Sequence, residues 1–111
     1  GLNKDFSMAW LYLFLAGLTE VGWAISLKYS HGFTRLIPSI VTISVMVLSF
    51  FLLAHSLKSI PIGTAYAVWT GIGIMGTVIL GILLFNEPVS FTRLLFLSFI
   101  LIGIVGLKVT Q

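Results

Sequence analysis

Four long apolar runs separated by short polar interruptions lay out this chain. The first covers about 9–28 and stops at Lys28-Tyr29-Ser30-His31-Gly32, where charge, turn formers and a helix-ending glycine coincide. The second covers about 37–57; it is entered through Arg35-Leu36-Ile37-Pro38, with proline suited to a first helical turn, and left at Lys58-Ser59-Ile60-Pro61. The third covers about 62–85 and closes at Asn86-Glu87-Pro88, and the fourth covers about 91–108, from Phe91-Thr92-Arg93 to Lys108. At about 1.5 Å of rise per residue, a bilayer core of about 30 Å takes roughly 20 residues, so each run predicts one transmembrane helix. Connections this short bring neighbouring helices together antiparallel. The expectation is an all-α membrane protein folded as a four-helix hairpin bundle.

Composition agrees and excludes other classes. With 59% hydrophobic and only 8% charged residues, the chain lacks the polar side chains to cover a globular surface. Residues 8–111 are filled by the four spans, which leaves no separate soluble domain. Cysteine is absent, so disulfides, thiolate chemistry and cysteine-ligated metals are excluded. The net charge of +3 comes from scattered basic residues at segment ends and forms no basic patch, so no nucleic-acid partner is expected. Residues 1–7, Gly1-Leu-Asn-Lys-Asp-Phe-Ser7, precede a Met8 that reads as an initiator, and they are expected to be a leader outside the fold. A cleaved signal peptide is disfavoured, because the first apolar run is too long, carries Glu20 and lacks a small-residue cleavage site.

The basic residues are balanced between the two membrane faces. Lys58 and Lys108, with Lys4 if the leader counts, lie on the side of the termini; Lys28, Arg35 and Arg93 lie on the other. So small a bias permits insertion both ways and pairing of oppositely oriented copies, although a weak bias that selects one orientation fits the same counts. Four helices are also few for enclosing a polar path, and a second copy of the chain would supply the other half. Gly103 and Gly106 in the fourth run suit a dimer contact or close packing inside one protomer, while Gly71, Gly73, Gly76 and Gly81 thread the third.

Glu20 changes the picture most. It stands near the middle of the first run, where no other charge occurs between Met8 and Leu27. An acid at bilayer depth costs several kcal/mol and is rare unless it binds a ligand or moves protons. Helical spacing puts Gly17, Glu20, Trp23 and Ala24 on one face, so Trp23 can wall the carboxylate. Tyr66, Trp69, Gly73 and Gly76 share a stripe of the third run, with Tyr66 and Trp69 serving either as lining or as an interfacial belt. Ser49 falls near mid-depth of the second run and can donate to a carboxylate or bond its own backbone. The assembly is an acid in an aromatic box, which suits a cation.

Trp10 and Tyr12 are expected as belt residues, His31 and His55 as wet interfacial groups, and Glu87 as a solvated turn residue. Lys28, Arg35, Lys58, Arg93 and Lys108 read as snorkelling anchors. No phosphate-cradling glycine loop, nucleophile with a paired base or metal-ligand cluster is visible, so neither a cofactor nor enzymatic chemistry is expected. An acid held away from water needs neutralising by a proton or by a cation. If a bundle changes face only when one of the two is loaded, it exchanges them as an antiporter.

The residues Glu20-Val-Gly-Trp23, Leu27-Lys-Tyr-Ser-His-Gly-Phe-Thr-Arg-Leu-Ile-Pro-Ser39, Ser49-Phe50, Ile60-Pro-Ile-Gly-Thr-Ala-Tyr-Ala-Val-Trp-Thr-Gly-Ile-Gly73 and Gly103-Ile-Val-Gly-Leu-Lys108 resemble the small multidrug resistance transporters. The likeness runs from Met8 to Lys108. It implies a four-helix, dual-topology, antiparallel homodimer in the bacterial inner membrane that exchanges cytoplasmic cations for protons. It also implies that Glu20 of both subunits is the shared proton and substrate site, lined by Tyr66 and Trp69. Within the family the chain is similar to the guanidinium exporter branch: the multidrug branch carries a small residue or Thr where Trp23 and Ala24 stand, and Tyr where Met46 stands. By that analogy Trp23 and Ser49 fix Glu20 for a planar guanidinium, whose N–H fork matches a carboxylate. A broader quaternary ammonium exporter, a passive channel and a non-transporting structural subunit are the other readings.

Overall fold

The structure, a computed structural model, describes residues 2–110, with side chains described from residue 7 onward. It holds four α-helices: α1 (Leu2–Tyr29), α2 (Leu36–Ser56), α3 (Ile62–Phe85) and α4 (Phe91–Val109). All four are long and apolar enough to cross a membrane, α1 over Ser7–Tyr29. The backbone of α1 begins earlier than expected, because nothing in residues 2–7 stops a helix and extension of a formed helix is cheap. The leader expected at 1–7 lies mostly outside the described side chains.

The connections are built by local hydrogen bonds. After α1, Ser30 is fully buried: its Oγ donates to the Leu27 carbonyl at 2.6 Å and accepts the Phe33 N–H at 3.1 Å, while its own carbonyl accepts from Thr34 and Arg35. This holds His31, Gly32 and Phe33 in successive left-handed conformations, a reversal that glycine eases at its centre. Pro38 falls in the first turn of α2, where its missing N–H breaks no ladder bond. Asn86 closes α3 in the left-handed conformation, and Ser90 caps α4 by accepting the Arg93 N–H at 3.1 Å.

Packing centres on α1, which lies against both α2 and α3, whereas α2 and α3 barely touch and α4 rests on α3. The four helices of the expected hairpin bundle thus pack as an open slab, 45 × 35 × 18 Å. Its core is Ala9, Trp10, Leu13 and Ala16 of α1 against Ile60 and Ala65, Val68 and Trp69 of α3. The alanines admit close approach of the two backbones. Gly17 sits against Ile72, where an added Cβ would meet the Ile72 Cβ at 2.7 Å, and Gly76 sits against Val21 in the same way. In lipid such contacts stabilise through van der Waals packing more than through the hydrophobic effect.

Trp10 corrects an expectation. It is a core residue rather than an interfacial belt residue, with the Lys108 ammonium 5.2 Å from its ring centroid. Tyr12 packs edge-on against His55, with centroids 4.4 Å apart. Glu87 is also more than a solvated turn residue: its carboxylate lies over Gly81 and 3.9 Å from Arg93.

Candidate functional site

Glu20 projects from α1 toward α3 at the height of Gly73. A side chain at 73 would overlap the carboxylate, so the glycine is the gap that lets the acid lie between the helices. Glu20 Oε1 is buried and has no hydrogen-bond partner, and among the described residues no basic side chain pairs with the group. It opens into a cleft of about 290 Å³ lined by Glu20, Trp23 and Ala24 of α1 and Gly73, Ile74, Thr77 and Val78 of α3. Trp23 Nε1 is likewise buried without a partner. The cleft thus holds an unsatisfied carboxylate oxygen beside apolar walls and one aromatic ring. A buried charge without a partner is costly, so the site favours a proton or a mobile cation at Glu20.

Ser49, Tyr66 and Trp69 form a second cluster one helical turn from the first, since Ala16 precedes Glu20 and Trp69 precedes Gly73 by four residues. Trp69 Nε1 donates to Ser49 Oγ at 3.0 Å, and Ser49 Oγ donates to the Ala16 carbonyl at 2.8 Å. The Trp69 ring meets Tyr66 at 5.5 Å and Phe50 at 5.7 Å between centroids, and Tyr66 itself is 57% exposed. Ser49 therefore bonds α1 backbone and makes no bond to the carboxylate. The two clusters meet through that backbone, because the Ala16 carbonyl is also the helical acceptor for the Glu20 N–H. Thr19 Oγ1 donates to the same carbonyl at 2.9 Å.

The glycines separate by environment. Gly17, Gly73 and Gly76 lie in the α1–α3 seam, and Gly71 meets Ile104 of α4, whose Cδ1 would stand 2.7 Å from an added Cβ. Gly103 and Gly106 face open space within the protomer. Helical spacing alone puts Glu20, Trp23 and Ala24 on one face of α1, and all three line the cleft. Sequence reasoning missed Ile74, Thr77 and Val78 as walls, although Gly73 and Thr77 stand four residues apart on one face. It also missed Phe50 and the Ala16 carbonyl, the latter because a backbone acceptor leaves no trace in residue type.

Four apolar spans with an unpaired carboxyl in the first define an integral, multi-pass membrane protein. The chain belongs to the Small Multidrug Resistance protein family, which matches residues 8–100. It is similar to the guanidinium exporter of Yersinia pseudotuberculosis serotype I (strain IP32953), 63% identical over 104 residues that cover 94% of this chain and 100% of that protein. The guanidinium exporter of Proteus vulgaris is 56% identical over 104 residues with the same coverage. That of Salmonella typhimurium (strain LT2) is 56% identical over 103 residues, covering 93% of this chain and 98% of the relative. These relatives are named as exporters and not as enzymes.

Proposed function

We propose that this chain is a proton-coupled antiporter that exports guanidinium and related small cations across the bacterial inner membrane, working as an antiparallel, dual-topology homodimer. The observation that carries this reading is Glu20 Oε1, buried between α1 and α3 without a partner. The near-complete similarity to proteins named guanidinium exporter supports the substrate class.

The cycle follows from one carboxyl serving two ligands. A protonated Glu20 is neutral and tolerates its apolar walls; an ionised Glu20 needs a cation. Guanidinium offers paired N–H donors in the plane that a carboxylate accepts, so its binding and proton release are mutually exclusive. Trp23, Tyr66 and Trp69 add ring faces, and Ser49 can turn its hydroxyl from Ala16 toward the acid when α1 shifts. Gly17, Gly71, Gly73 and Gly76 let the helices slide at close approach. A face change permitted only in the loaded states makes the movement of one ligand depend on the other.

The dimer has its own support. No residue of α4 is buried, and Gly103 and Gly106 have nothing opposite them, as suits a helix that meets a second copy. The aromatic rings favour one further reading, export of quaternary ammonium ions, which lack N–H donors and bind through ring faces. Purified protein in liposomes is expected to move guanidinium against a proton gradient, with Glu20→Gln reducing transport to background. Transport that survives that change overturns the assignment. Competition by a bulky aromatic cation separates the two substrate readings.

A further inference from the structure

A second cleft, of about 270 Å³, lies away from Glu20 at the membrane face that carries the α2–α3 connection. Met8, Ala9, Tyr12, His55, Lys58 and Ser59 line it. Four of these six can donate hydrogen bonds: the Tyr12 hydroxyl, an imidazole N–H of His55, the Lys58 ammonium and the Ser59 hydroxyl. Among the described residues none of these four side chains makes a hydrogen bond or an ion pair, and Tyr12 and His55 touch only as rings. The cleft therefore gathers donors and, among the described residues, lacks an anionic acceptor.

Among the described side chains no acid supplies one. Glu20 is in the α1–α3 seam and Glu87 is engaged with Gly81 and Arg93 in the α3–α4 connection. Asp5, one turn before Met8 on α1, is the remaining acid, and its side chain lies outside the described ones. Three other basic residues have partners: Lys28 stands 4.9 Å over the Phe85 ring, Lys108 lies over Trp10, and Arg93 Nη1 donates to the Pro88 carbonyl at 2.7 Å; Arg35 is exposed on the opposite face. Lys58 differs in lining a cleft shared with Tyr12, His55 and Ser59. Its position just past the end of the second span puts the cleft at headgroup depth, with apolar Met8 and Ala9 as its floor.

We propose that this cleft binds the phosphate of an anionic membrane lipid, with Lys58 as the charge partner and Tyr12, His55 and Ser59 as the neutral donors. The phosphodiester offers the anionic acceptor oxygens that the described lining lacks, and the acyl chains leave over the exposed apolar flank of α1. A free phosphate would make the same polar contacts but would gain nothing from that flank.

The test is titration of the purified full chain in detergent with short-chain phosphatidylglycerol, read as saturable retention in native mass spectrometry and as a rise in melting temperature. Lys58→Gln and Tyr12→Phe are each expected to weaken binding by roughly fivefold. Arg35→Gln, which removes an exposed charge from the opposite face, is expected to leave it unchanged. Equal loss in the Arg35 and Lys58 variants would reduce the effect to general surface charge and overturn the site. Inorganic phosphate that competes at equal concentration would overturn the lipid as occupant. Binding that emerges only in Asp5→Asn would mean that Lys58 is already paired within the chain, and would overturn the proposal for the chain as it stands.

Discussion

The α1–α3 seam and the outer face of α4 are both apolar and glycine-rich, yet they are packed in opposite ways. Along the seam, Gly17, Gly73 and Gly76 each have a side chain of the facing helix where their own Cβ would be. Along α4, Gly103 and Gly106 have nothing within reach, and Phe96, Phe99, Ile102 and Val105 are all more than half exposed. In water such a difference would separate core from error. In lipid it separates contacts already made from contacts not yet made, because an apolar helix loses nothing by facing acyl chains.

The same change, glycine to alanine, breaks this comparison into three outcomes. The largest is at Gly73, where the new methyl displaces the Glu20 carboxylate. Transport is expected to fall by roughly tenfold or more in a liposome flux measurement, while stability changes little because the displaced group is the flexible end of a side chain. At Gly17 the opposing group is the stiff, β-branched Ile72. Here Gly17→Ala is expected to cost about 1–3 kcal/mol of stability by overpacking, seen as a lower denaturation midpoint by circular dichroism in detergent. The smallest effect on folding is at Gly103, where Gly103→Ala should change protomer stability by no more than about 0.5 kcal/mol. If α4 carries the dimer contact, that variant nonetheless shifts the monomer–dimer balance toward monomer in sedimentation or mass photometry. An unchanged balance would leave α4 facing lipid and move the interface elsewhere.

Much of the secondary structure was legible in the sequence, and little of the packing. α2, α3 and α4 begin and end within one residue of the apolar runs at 37–57, 62–85 and 91–108, because spans and breakers are properties of local sequence. Which helices touch was not legible, since hydropathy is nearly uniform around each span and gives no face. Trp10 shows the consequence: aromatic type and position near a span end suggest a belt, but its place on α1 puts it in the buried cluster that also holds Val68 and Trp69. Glu20 was conspicuous as the lone charge of its span. Ser49 was visible as a hydroxyl at mid-depth, but its choice of the Ala16 carbonyl depends on where α1 crosses α2, which no residue type encodes.

The slab is only 18 Å across its thinnest direction. A body of that thickness is one helix layer backed by part of another, so it has a cleft but no interior in which a column of water could stand. On the proposed function, a solitary copy can hold a cation at Glu20 but has no walled route along which to carry it. Whatever covers the open side of the Glu20 cleft then turns a binding site into a path.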